Sequence, residues 1–73
     1  MHLHDALRVL WDGNPHTLRL WKLSTGDILT YRDVRGLGAW KRGGLCRVAF
    51  GNGEVRAFRE VSLFEIDGMA VYM

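Results

Sequence analysis

Apolar residues recur at helical spacing near the start of the chain and in alternation after it. Leu3, Leu7, Leu10 and Trp11 repeat at three- and four-residue intervals with His4 and Arg8 off the stripe, which predicts a short helix over residues 3–11. Asp5 suits the positive end of that helix, Gly13 suits the left-handed position past its end, and Pro15 blocks continuation. So short a helix is marginal alone in water, so its stripe must lie on another element.

Residues 17–23 and 28–34 read as a hairpin. A two-residue loop at Thr25-Gly26 pairs Leu20 with Tyr31 and Lys22 with Leu29. Leu18, Leu20, Leu29 and Tyr31 then share one side, and Trp21, Leu23 and Ile28 share the other. Neither side is polar throughout, as in a small barrel or a wrapped sheet. Residues 44–73 carry the clearest pattern: two hairpins tipped by Asn52-Gly53 and Asp67-Gly68. Both dipeptides supply the paired positive-φ positions of a type I′ turn. A two-residue loop at Asn52-Gly53 pairs Cys46 with Arg59, Val48 with Ala57 and Phe50 with Val55. One face then holds Cys46, Val48, Phe50, Val55 and Ala57, and the other holds Arg47, Arg56 and Phe58. Around Asp67-Gly68, Phe64 opposes Val71 and Leu63 opposes Tyr72. The few residues between Arg59 and Ser62 predict a tight turn that redirects the chain.

Composition narrows the class. The 73 residues make one domain, near the lower limit for an independent core, and 48% hydrophobic content with eight aromatics excludes disorder. A core this small leaves little margin, so self-association is expected. Trp11, Trp21 and Phe58 cannot all be surrounded by it: either they mark a partner surface, or the N-terminal helix covers Trp21 or Phe58. Cys46 is the single cysteine, which excludes an intrachain disulfide and a cysteine-built zinc site and suits a reducing interior. No apolar run is long enough for a membrane-spanning helix, and Met-His-Leu-His-Asp lacks the pattern of a signal peptide. The expected location is cytoplasmic, with no membrane partner.

Charge is uneven. Residues 19–47 carry seven Lys/Arg against two Asp, a balance of +5, while residues 48–73 carry two Arg against four carboxylates, a balance of −2. Such asymmetry suits steering of a nucleic-acid backbone or an acidic protein surface, and equally attraction between the basic side of one copy and the acidic side of another. Four glycines and Arg35, Trp40, Lys41 and Arg42 fall in the one long loop, over residues 35–44. Cations for phosphates, an indole for stacking and glycines for close approach suit nucleic acid, while a solvated loop anchored by Trp40 accounts for the same residues without a ligand. The loop lacks the Lys-Ser/Thr ending and the spacing of a phosphate-binding motif. Arg35, Trp40, Lys41, Arg42 and Arg47, with Arg56 and Phe58 from the hairpin face, are the candidate binding residues.

Catalytic chemistry finds no constellation. His2, His4 and His16 lack metal-ligand spacing, Cys46 falls on an inward face, and Ser24 and Ser62 sit in a turn and at a strand start. No catalytic residue, cofactor, metal or small-molecule substrate is expected.

The run GNGEVRAFREVSLFEIDGMAVYM, preceded by Trp40 and residues 42–47, resembles small uncharacterised proteins of phages, prophages and mobile elements of gut bacteria. The shared features are a helical start, a Thr-x-x-Gly-Asp-Ile hairpin matched loosely at residues 25–28, a mid-chain Trp, a Gly-Glu-Val-Arg turn and a closing Asp-Gly hairpin. The likeness covers most of residues 17–73 and implies a phage or mobile-element origin, with a location inside a host cell or on a virion. A helix followed by five strands also resembles SH3-like and Sm-like small barrels. Asp33-Val-Arg-Gly departs from the Sm nucleotide-binding signature, so ring assembly and RNA binding by that route are not implied. The expected fold is therefore mostly β: a short N-terminal helix plus a five- to six-stranded antiparallel SH3-like small barrel or strongly curved sheet. The expected function is a non-enzymatic protein-interaction or assembly module, self-associating through its own copies. A small nucleic-acid-binding protein using the basic-aromatic loop is the alternative.

Overall fold

The predicted helix forms as α1 (Leu3–Leu10), ending one residue before Trp11. His2 caps its start, with the ring Nδ1 accepting from the His4 amide at 3.1 Å. Gly13, at φ +88°, takes the left-handed conformation that turns the chain away from the helix. Six strands follow: β1 (His16–Trp21), β2 (Ile28–Trp40), β3 (Leu45–Ala49), β4 (Val55–Arg59), β5 (Leu63–Ile66) and β6 (Met69–Ala70). A 3-10 turn, Glu60–Ser62, supplies the expected bend between β4 and β5, and the Ser62 hydroxyl donates to the Arg59 carbonyl at 2.7 Å. The computed structural model describes residues 1–40 and 44–72, with backbone alone at 38–40.

The strands form one antiparallel sheet in the order β4-β3-β2-β1-β5-β6. It is not closed into a barrel: the strongly curved sheet is the arrangement adopted. The curvature is built into β2, whose residues 28–34 pair with β1 and whose residues 35–40 pair with β3. Extra residues interrupt both ladders, one opposite His16 and Leu18, the other between Gly36 and Gly38. Asp33 sits at the first with φ +54°. Bulges of this kind bend a strand and increase its twist, so the halves of the sheet fold toward each other. The resulting extents of 28 × 26 × 25 Å are nearly equal, which a flat six-stranded sheet would not give.

α1 joins the core on the concave face. Leu3, Ala6, Leu7 and Leu10 bury against a set that includes Leu18, Leu20, Val34, Cys46, Val48, Phe58, Leu63 and Ile66. Each fully buried leucine contributes about 1.5–3 kcal/mol, which offsets the weak intrinsic stability of two helical turns. Gly36 permits the closest approach: a Cβ there would lie 2.4 Å from Trp11 Cδ1 and 2.7 Å from the Leu10 carbonyl oxygen. The N-terminus is tied to the C-terminal segment in parallel. The Leu3 amide donates to Tyr72 O at 2.7 Å, the Tyr72 amide to Met1 O at 3.0 Å, and the Met1 ammonium to Ala70 O at 2.8 Å.

Residues 35–40, expected in a loop, instead extend β2 and pair with β3, because the irregularity at Gly36–Gly38 lets the glycine-rich strand bend and stay in the sheet. Of the three predicted hairpins one keeps its expected register and two shift. Asp67-Gly68 is a two-residue turn with φ +49° and +82°, and Ile66 pairs with Met69 as expected. The first hairpin closes with a four-residue loop, so Leu20 pairs with Leu29 rather than Tyr31. That shift of two preserves the faces, and Leu18, Leu20, Leu29 and Tyr31 all reach the core side. The Asn52-Gly53 hairpin shifts by one: Phe50 and Glu54 close a three-residue loop, with Gly53 at φ +88°. Cys46 therefore pairs with Phe58 and Val48 with Arg56. A one-residue slip exchanges the faces of a strand, so Phe58 is buried while Val55 and Ala57 are exposed. Among the described residues, no helix is long and apolar enough to cross a membrane.

Candidate functional site

The convex face of β1, β2 and β5 carries an aromatic cluster. Trp21 and Ile28 are cross-strand partners and both point away from the core, because Leu20 and Leu29 one position earlier and later point into it. Phe64 reaches the same face beside the irregularity in the β1–β5 ladder, and its ring centroid lies 4.9 Å from that of Trp21 at a tilt of 34°. The Arg19 guanidinium lies 5.4 Å from the Phe64 ring centroid and 3.5 Å from Glu65. Trp21 is 43% exposed and Ile28 46%, so two large apolar side chains and a half-buried phenylalanine meet solvent together. Trp11, 40% exposed, lies apart from them beside Gly36.

A second surface is the outer face of β3, β4 and the second half of β2. Ala49 opposes both Arg35 and Val55, Arg47 opposes Ala57, and Leu45 opposes Arg59. Arg35, Arg47 and Arg59 are exposed on this face. Two of the expected binding residues belong elsewhere. Phe58 was expected outward with Arg47, but the slipped register turns it into the core, where its ring lies 6.5 Å from that of Tyr31. Arg56 opposes Val48 rather than sharing the face of Arg47, and its Nε donates to Glu54 at 2.9 Å. Trp40 closes the β2–β3 ladder opposite Leu45. Lys41 and Arg42 lie outside the described residues, as does the Trp40 side chain.

One cluster escaped sequence reasoning. The buried His16 ring bridges two carboxylates, with Nδ1 at 2.6 Å from Asp67 Oδ2 and Nε2 at 2.9 Å from Asp12 Oδ1. Asp67 Oδ1 also accepts from the Thr17 amide at 2.9 Å, and Asp12 from the Asn14 amide at 2.8 Å. Burial opposes a charge on the ring, but the two carboxylates outweigh it and raise the His16 pKa. The Asp12 pKa is lowered, chiefly by the bond to His16. Burial acts against the Asp67 charge, yet the Thr17 amide and His16 leave its pKa lowered as well. Both ring nitrogens are engaged, so the imidazole has no open lone pair with which to accept a substrate proton. The cluster is a staple joining the end of α1, the start of β1 and the β5–β6 turn. Asp67 lies 51 residues from His16 in the chain, and only the Asp12–His16 spacing of four was visible beforehand.

Cys46 is fully buried, and burial pushes its thiol up to about 11, with the Glu60 carboxylate adding to the shift. At neutral pH it is a small apolar side chain rather than a nucleophile. Compared with protein-family models, with curated proteins and with solved structures, the chain matches none.

Proposed function

We propose that this chain is a non-enzymatic interaction module that docks protein subunits, its own copies included, through the convex face of β1, β2 and β5. The observation that carries this reading is the Trp21–Phe64 pair at 4.9 Å with Ile28, the cross-strand partner of Trp21, exposed beside it. Aromatics at the centre of an apolar patch, rimmed by an arginine and a carboxylate, have the composition of a docking surface. The patch lies on paired strands, so it is rigid before any partner arrives and loses little conformational freedom on binding. The likeness to phage and mobile-element proteins belongs to the same proposal and suits a small assembly component.

Sedimentation equilibrium and light scattering at tens of micromolar test it. The expected result is a dimer or larger species that dissociates in a Trp21→Ala, Ile28→Ser double variant with unchanged circular dichroism. A strict monomer over that range removes self-association from the reading. An oligomer that survives both substitutions places the contact elsewhere.

A further inference from the structure

We infer that the outer face of β3, β4 and the second half of β2 binds the phosphate backbone of a single-stranded nucleic acid, with Arg35, Arg47 and Arg59 as its contacts. Among the described residues two arginines are ion-paired: Arg19 lies 3.5 Å from Glu65, and Arg56 lies 2.7 Å from Glu54. Arg8 and Arg32 have no such partner, but only this face gathers several unpaired arginines through strand register. On this face, among the described residues, no carboxylate lies within ion-pair distance of Arg35, Arg47 or Arg59. Arg35 makes only a long contact, donating to the Gly13 carbonyl at 3.4 Å.

Register places these three charges together. Arg47 opposes Ala57, and Arg59 lies two residues along the same strand, so the two guanidiniums spring from diagonal neighbours on one face. Arg35 opposes Ala49, which lies two residues from Arg47 on β3. Ala49 and Ala57 fill the positions between them, and their methyl groups leave the guanidiniums open to a ligand. Glu60, the nearest carboxylate in sequence, turns toward Gly44, where an added Cβ would lie 3.8 Å from its Oε1.

Unpaired guanidiniums in a row match phosphate oxygens in charge and in fork geometry. The occupant is a single strand rather than a duplex. The apolar stripe of α1 is committed to the core, so no helix is free to enter a groove, and a smooth sheet face tracks a backbone instead. This surface is separate from the Trp21 face, so either proposal can fail without the other.

The test is fluorescence anisotropy with a labelled single-stranded oligonucleotide of about 15 nucleotides, titrated at several salt concentrations. Three phosphate contacts predict a slope of log K against log salt near −2, or about a 16-fold loss of affinity between 50 and 200 mM salt. The Arg47→Gln, Arg59→Gln double variant should bind more weakly, with its slope reduced to about −0.7 and its salt loss to about 3-fold. Arg8→Gln, on the solvent side of α1, should change neither. No binding at 50 mM salt overturns the inference, as does a slope unchanged in the double variant. Equal or tighter affinity for a duplex of the same length overturns the single-strand assignment. Equal affinity for polyglutamate overturns phosphate recognition.

Discussion

Replacing His16 with glutamine removes the one charge that links three separate segments of the fold. The ring is 8% exposed and lies 2.6 Å from Asp67 and 2.9 Å from Asp12. Counting the Asp67 bond alone, a charge-assisted hydrogen bond is worth about 1.5–3 kcal/mol, and the solvent reaching the 37%-exposed Asp67 side chain reduces this to about 1–2 kcal/mol. In a domain of this size that corresponds to a fall in Tm of about 4–16 °C. The loss should depend on pH in a defined direction. The folded-state pKa of His16 is raised above its ordinary 6.5, so its contribution is complete below 6.5 and fades as pH rises through the raised value. The Asp12 and Asp67 pKa values are lowered from 3.8, so their contributions are complete above 3.8 and fade as pH falls through the lowered values. The staple is therefore fully formed between pH 3.8 and 6.5. Thermal melts followed by circular dichroism, for both proteins across pH 3 to 9, should differ most near pH 5 and converge toward either end. Equal melting temperatures at pH 5, or a difference that stays constant to pH 9, would show that His16 carries no charge-dependent link between these segments.

Other perturbations report on register and packing. Phe58→Ala should cost about 3–5 kcal/mol by chemical denaturation, while Val55→Ala on the exposed face of the same strand should stay within about 0.5 kcal/mol. Similar costs for the two would return β4 to the opposite face. Gly36→Ala introduces a Cβ 2.7 Å from the Leu10 carbonyl oxygen, and the forced shift of α1 should cost about 1–3 kcal/mol in the same assay. Asp33→Gly relieves a side chain held at φ +54° and should leave stability unchanged or raise it by up to about 1 kcal/mol. Cys46, buried and protonated at neutral pH, should react with a thiol reagent only as fast as the chain unfolds, and rapid stoichiometric labelling of the native protein would contradict its position.

How much was legible in the chain depended on whether neighbours or distant residues decided each feature. The limits of α1, the Asp67-Gly68 turn and the concave set Leu18, Leu20, Leu29 and Tyr31 follow from local spacing and from conformations that few residues adopt, and sequence alone determined them. The Asn52-Gly53 hairpin was decided by tertiary structure. Two- and three-residue loops both accept glycine in the left-handed region, so the turn leaves the two registers close in energy. The core then takes the one that buries the phenylalanine ring at 58, the largest apolar side chain of β4, and leaves Val55 and Ala57 outside. That choice removes Phe58 from the candidate surface and separates Arg56 from Arg47, while Phe64 becomes the partner of Trp21 through an irregular ladder that alternation does not foretell. The His16 staple is tertiary for the same reason, because its second carboxylate arrives only when the β5–β6 turn folds back onto the start of β1.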